Sequence, residues 1–169
     1  LLIFSIGKNF GLDTTSIAAV VASGGVAIGL ALQGSLSNFA GGVLILLLKP
    51  FVVGDYIIED NNKCEGTVKE IQVFYTKLVT PDNKIIVIPN GTLTNNSLTN
   101  ATMQKMRRLD LKIDISYNAD LKKAKALLEK LLLEEKKILK DQETNVFVDD
   151  LGASSVVLGV RGWVQTEDY

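Results

Sequence analysis

The sequence predicts a membrane α-helix followed by an α+β polypeptide, on three observations. Between Asp13 and Lys49 run thirty-five residues without a charge. Short segments rich in Val, Ile, Thr and Tyr, punctuated by Gly, Asn, Asp and Pro, then fill 51–90. From 108 onward the pattern becomes strand, helix, strand, strand. Four segments follow: 1–11, the end of a preceding apolar helix; 12–49, a kinked transmembrane helix; 50–107, a small β domain; 108–169, an α/β domain whose second helix and last strand are expected beyond Tyr169.

The first residues, LLIFSI, read as the tail of an earlier helix. No basic region precedes them, so they do not make a signal peptide. The charge-free run that follows exceeds the roughly 20 apolar residues needed to cross a bilayer. Its first half is rich in Gly, Ala and Ser, and small residues let helix backbones approach closely inside a membrane.

At about 100° per residue, Ile17, Val21, Ile28 and Leu32 form one bulky stripe. Ala18, Ala22, Gly25 and Gly29 lie on one flank, and Gly24, Ala27 and Ala31 on the other. Ala19, Val26, Leu30 and the polar Gln33 stand opposite the bulky stripe. Two close-packing flanks allow each copy to contact two neighbours head to tail, which closes into a ring when the rotation permits. Val26 and Leu30 would then line an apolar interior that can dewet and close. A packing helix of a transporter or membrane enzyme, or a dimerising anchor, uses the same small residues, and the wheel alone leaves these open.

Gln33-Gly34-Ser35 interrupts the pattern, and glycine there marks a bend. Beyond it Leu36, Phe39, Val43 and Leu47 keep helical spacing over about 21 Å, a length suited to an interfacial helix. Lys49-Pro50 ends it, since proline cannot continue a helix.

FVVGDYIIED, EGTVKEIQV and YTKLVTPDNKIIVIP read as four or five short strands, the spacing of a small barrel. RLDLKIDISY alternates as a half-buried strand. Asn118 to Lys140 reads as a helix with Ala124, Leu127, Leu128, Leu131 and Leu132 on its apolar face and a solvated charged face. TNVFVDDLG and SSVVLGVRGWV are two further strands, with Trp163 expected in the core. Strand–helix–strand–strand is the first part of a ferredoxin-like unit.

Composition excludes several functions. Histidine is absent, which removes His-based catalysis and His-containing metal sites, and a single cysteine, Cys64, cannot form a disulfide within the chain. The 18 Lys+Arg and 19 Asp+Glu balance closely, so no broad basic field exists for nucleic acid. Gly24-Gly25 with Gly29 follows no strand and is not a dinucleotide loop. Asp149 and Asp150 would point to opposite faces of a strand. Lys105, Arg107 and Arg108 read as solvated charges in a linker, with lipid phosphate or another subunit's acidic edge as the functional alternative. No catalytic constellation assembles, so the chain is read as a non-enzyme with no cofactor and no metal.

GLALQGSLSNFAGGVLILLLKPFVVGD, GTVKEI, TPDNKIIVIPN and LGASS follow one another along the chain. In order and spacing they resemble the small-conductance mechanosensitive ion channel family. The resemblance implies a homoheptamer in the cell inner membrane. Each multi-pass subunit would have three transmembrane helices, the last lining the pore. A Sm-like β domain and an α/β domain would build a hollow cytoplasmic vestibule. Membrane tension would open the pore and release ions and small solutes during hypo-osmotic shock. It further implies Val26 and Leu30 as gate rings, Ser23, Ala27 and Ala31 as small knobs, and Gly25 and Gly29 as the grooves receiving them. Gln33 and Gly34 would be the bend and Gly42 a second flexible point. The upper ring is usually leucine in the family, so Val26 implies a wider constriction there. Two rival readings are a membrane-anchored oligomeric scaffold and a Sm-like nucleic-acid-binding module. The balanced charge and the attached apolar helix oppose the second.

Overall fold

A computed structural model describes residues 13–169; the segment expected to end a preceding helix, 1–11, lies outside them. The chain forms two compact units divided between Ala101 and Thr102.

The first unit opens with helix α1, Thr14–Leu48. Asp13 caps it, its carboxylate accepting from the Thr15 N–H at 3.3 Å. Helical structure passes through Gln33-Gly34-Ser35 without interruption. The interfacial piece expected beyond Ser35 is therefore the last part of the same element. Lys49 turns into the left-handed region (φ 49°), and its N–H donates to the Ile45 carbonyl at 2.9 Å. Pro50 then prevents another turn.

Five strands follow: β1 Tyr56–Glu59, β2 Cys64–Ile71, β3 Tyr75–Val79, β4 Ile85–Pro89 and β5 Leu98–Asn100. They form one antiparallel sheet in the order β4-β3-β2-β1-β5. Phe51-Val52-Val53, expected as strand, instead makes the turn into β1, because Phe51 is drawn into the core with Ile57, Val68, Leu78, Ile88 and Leu93. A short helix α2, Asn90–Asn95, links β4 to β5. Neither was legible, since 91–105 shows no periodicity. Glu59, buried at the β1–β2 turn, accepts the N–H groups of Asn61 (3.1 Å) and Asn62 (2.7 Å) and Asn96 Nδ2 (2.8 Å). The Asn62 donor above all holds its carboxyl below the usual carboxylate range.

The second unit contains β6 Met106–Ser116, α3 Leu121–Glu134, β7 Asn145–Leu151 and β8 Ser155–Gln165, closed by a 3-10 turn at Thr166–Asp168. The sheet order is β6-β8-β7, antiparallel throughout. Placing the last strand between the other two is the split β-α-β layout of a ferredoxin-like unit. Leu132 of α3 packs with Ile138, Val146, Val160 and Val164.

Three expectations change here. The helix expected to reach Lys140 stops at Glu134: Ile138 bridges to Val164 and the Leu139 N–H donates to Trp163 O at 2.8 Å, so pairing with β8 overrides helix propensity. Trp163 is half-buried, because alternation along β8 turns it away from the face that carries the buried Val160, Gly162 and Val164. Arg107 lies in β6 rather than in a linker, beside Arg108, the expected start of the alternating run. The Arg107 guanidinium stands 3.3 Å over the Tyr169 ring, and Arg108 binds Asp110. Asp149 sits at a bulge in β7 and pairs with Lys112 at 2.7 Å, apart from any work shared with Asp150.

Candidate functional site

Among the described elements, α1 is the most exposed and the most apolar. Thr15–Leu48 is long and apolar enough to cross a membrane, with mean hydropathy 1.9. Val26 and Leu30, four residues apart and so one turn apart on one face, are 63% and 67% exposed. Ala18, Ala22, Gly25, Ala27, Gly29 and Ala31 are exposed as well. A Cβ built at Gly24, Gly25, Gly29 or Gly34 would meet nothing within 4 Å. Ser23 turns its hydroxyl back to the Val20 carbonyl, 3.0 Å away, and so adds no free donor to its flank. Gln33 is exposed. Before Gly41 no described residue of this apolar helix is buried, which leaves faces for lipid, for copies of itself, or for both.

The C-terminal third differs. Gly41, Gly42 and Ile45 are buried, and Ile45, 1% exposed, belongs to the core of the β domain. A Cβ on Gly42 would lie 2.2 Å from the Val73 carbonyl oxygen and 2.7 Å from Asn90 Nδ2; one on Gly41 would lie 2.8 Å from the Asn90 carbonyl. Gly42 therefore has a packing role, since its bare backbone is what lets α1 reach the β2–β3 turn and the start of α2. Above it the Gly91 N–H donates to Asn38 Oδ1 at 3.0 Å, and Phe39 meets Phe74 with ring centroids 6.2 Å apart.

Asn90 organises this junction. It is fully buried. Its Oδ1 accepts from Thr76 Oγ1 at 2.8 Å, and its Nδ2 donates to the carbonyls of Gln72 (2.8 Å) and Val73 (3.1 Å). Its own N–H donates to Phe74 O at 2.9 Å. Every side-chain polar group is thus paired, which a buried amide requires. The β3 start, the α2 start and the underside of α1 are fixed together by one residue. Sequence reasoning did not find Asn38, Gly41, Asn90 or Gly91. The available signals were a lone Asn inside an apolar run and Pro-Asn-Gly directly after a strand. Gly34, Ser37, Asn38, Pro89, Thr92 and Asn96 line an open recess of about 440 Å³ beside this junction.

Comparisons with known proteins bear on both parts. Residues 34–103 match the family model described as mechanosensitive ion channel, beta-domain, and residues 109–169 match that of mechanosensitive ion channel MscS, C-terminal. An uncharacterised MscS family protein of Buchnera aphidicola subsp. Baizongia pistaciae is 44% identical over 99% of this chain and 58% of its own length. The small-conductance mechanosensitive channel of Edwardsiella ictaluri is 41% identical over 86% of this chain and 50% of its own length. The closed-state crystal structure of Helicobacter pylori MscS superposes with a TM-score of 0.88 at 30% identity, over 98% of this chain and 64% of that one. The chain therefore spans between half and two thirds of these relatives.

Proposed function

We propose, for a chain that belongs to the small-conductance mechanosensitive channel family, that it supplies the pore helix and part of the cytoplasmic domains of a homo-oligomeric channel in the inner membrane. The family is one of ion channels rather than of enzymes. The observation that carries the reading is α1 itself: small residues on two flanks, an apolar face between them, and, before Gly41, no residue buried among the described ones.

In this reading seven copies form the ring. Gly25 and Gly29 of one copy receive Ser23, Ala27 and Ala31 of the next, with Ala18 and Ala22 extending the glycine flank. Val26 and Leu30 face the axis and exclude water from a narrow apolar passage. Gln33 and Gly34 supply the bend between the lining part of α1 and the part docked on the sheet. Membrane tension widens the ring, and ions and small solutes pass.

The test uses the full-length protein reconstituted in lipid. Patches should show single-channel current that rises with tension, and the detergent-solubilised assembly should have a mass of seven subunits. A ring that never conducts would support the scaffold reading in its place. A mass of one or two subunits would overturn the ring.

A further inference from the structure

One face of the sheet in the second unit is turned away from α3. Arg108, Asp110 and Lys112 of β6 share that face with Trp163, Arg161 and Gly159 of β8, to which they are respectively paired. Asp110 uses both oxygens: Oδ2 accepts from Arg108 Nε and Oδ1 from Arg161 Nε, each at 2.9 Å. Arg161 also lies over the Phe147 ring, 4.6 Å from its centroid. Both guanidiniums are held through their Nε–H groups, and among the described residues their terminal nitrogens make no hydrogen bond. They border a recess of about 210 Å³ lined by Arg108, Glu143, Asn145, Arg161 and Trp163. Glu143 has no ion-pair partner among the described residues.

The charges decide what fits. Arg108 and Arg161 are offset by Asp110 and Glu143, so the recess is neutral overall and has no general pull on anions. It does keep the two signs apart: guanidinium donors beside one carboxylate that is free. The volume is below the roughly 300–1,000 Å³ of pockets for drug-sized ligands. The tryptophan adds a wall that attracts a cation over its ring face.

We propose that this recess binds a small zwitterion of the amino-acid class. The ligand carboxylate takes the terminal nitrogens of Arg108 and Arg161, whose planar forks suit a carboxylate. The ligand ammonium takes Glu143 and lies against Trp163. Asn145 supplies a further amide. The site does not rest on the channel reading, since a protein that never conducts would keep it.

Trp163 is the chain's single tryptophan. Its emission, taken as the difference between the full-length protein and its Trp163→Phe variant, reports the recess. The probes are glycine, acetate and methylammonium, each added at constant ionic strength. Glycine should give a saturable change, with acetate and methylammonium weaker by about tenfold or more, because each lacks one charge-assisted contact. Arg161→Gln should weaken glycine by about the same factor. Arg161 also touches Asp110 and Phe147, so the decisive variant is Glu143→Gln, which breaks no internal bond. It should bring glycine and acetate to equal affinity. A strictly linear response to glycine, equal binding of glycine and acetate by the parent, or a glycine preference that survives Glu143→Gln would overturn the proposal.

Discussion

Gly42→Ala separates two roles that a glycine near the end of a long apolar helix can have. If Gly42 is only a flexible point, alanine stiffens the helix and gains about 1 kcal/mol. The structure demands the opposite sign. The new Cβ would stand 2.2 Å from the Val73 carbonyl oxygen, whereas ordinary contact begins at 3.4 Å. Helix and β2–β3 turn would have to part by roughly 1.2 Å against backbone atoms, not against a side chain that can swing aside. Overpacking of this kind costs about 1–3 kcal/mol. Gly34→Ala is the matched control, because its Cβ meets nothing within 4 Å and only the gain of about 1 kcal/mol remains. Thermal melting of the detergent-solubilised protein should therefore rank Gly34→Ala at or above the parent and Gly42→Ala several degrees below it. Amide exchange at Asn90, whose N–H is bonded to Phe74 O, should quicken in Gly42→Ala alone. If Gly42→Ala melts at or above the parent, the close approach of α1 to the sheet is wrong and the flexible-point role stands by itself.

At the proposed gate, Leu30→Ser should lower the tension threshold or leak, and more so than Val26→Ser, since the larger side chain contributes more of an apolar seal; patch-clamp thresholds at matched expression measure this, and an unchanged Leu30→Ser threshold means another face lines the pore. Gly25→Leu and Gly29→Leu should reduce full rings in cross-linking, by filling a flank that is open in the single chain; normal rings in both would remove that flank from the assembly. Asn90→Asp should lower the urea midpoint further than Asn90→Ala, because it sets a carboxylate against the Gln72 and Val73 carbonyls in a buried site, beyond the ~1–3 kcal/mol of lost hydrogen bonds; equal midpoints would contradict the assigned amide orientation. Glu59 has a folded-state pKa below its unfolded one, so its contribution is complete above about pH 4.3 and fades as pH falls through the lower folded value. Glu59→Gln should accordingly flatten the loss of stability as pH falls below about 4.3, and a slope identical to the parent's would show that other carboxylates dominate.

The parts legible in advance were those fixed by local chemistry. Lys49-Pro50 ends α1 as expected, because proline acts on its own backbone. The strand character of β6 and β8 is visible because one face of β8 is buried and the face of β6 carrying Arg107, Leu109, Ile113 and Ile115 is half-buried. What remained hidden depends on contacts distant in sequence. Ile138 leaves a helical pattern to bridge to Val164, and Phe51 leaves a strand pattern to fill the β core. Gly41 and Gly42 look identical to Gly24 and Gly25 as a dipeptide. Only the arrival of Val73 and Asn90 distinguishes a packed pair from an open one. Asn90 itself reads as punctuation after a strand, since a hydrogen-bonding hub has no periodicity to betray it.

A charge-free helix cannot choose its own height in a bilayer. About 20 residues suffice to cross, so the 34 of Thr15–Leu48 leave some 14 to spare, or roughly 21 Å of sliding at equal hydropathy. The burial of Gly41, Gly42 and Ile45 in the β domain removes that freedom, because a domain bearing charges at Asp55, Lys69 and Lys77 cannot follow the helix into hydrocarbon. The docked end is thus a depth stop at the water line. When the bilayer thins, the adjustment falls on the opposite end of α1, away from the docked β domain.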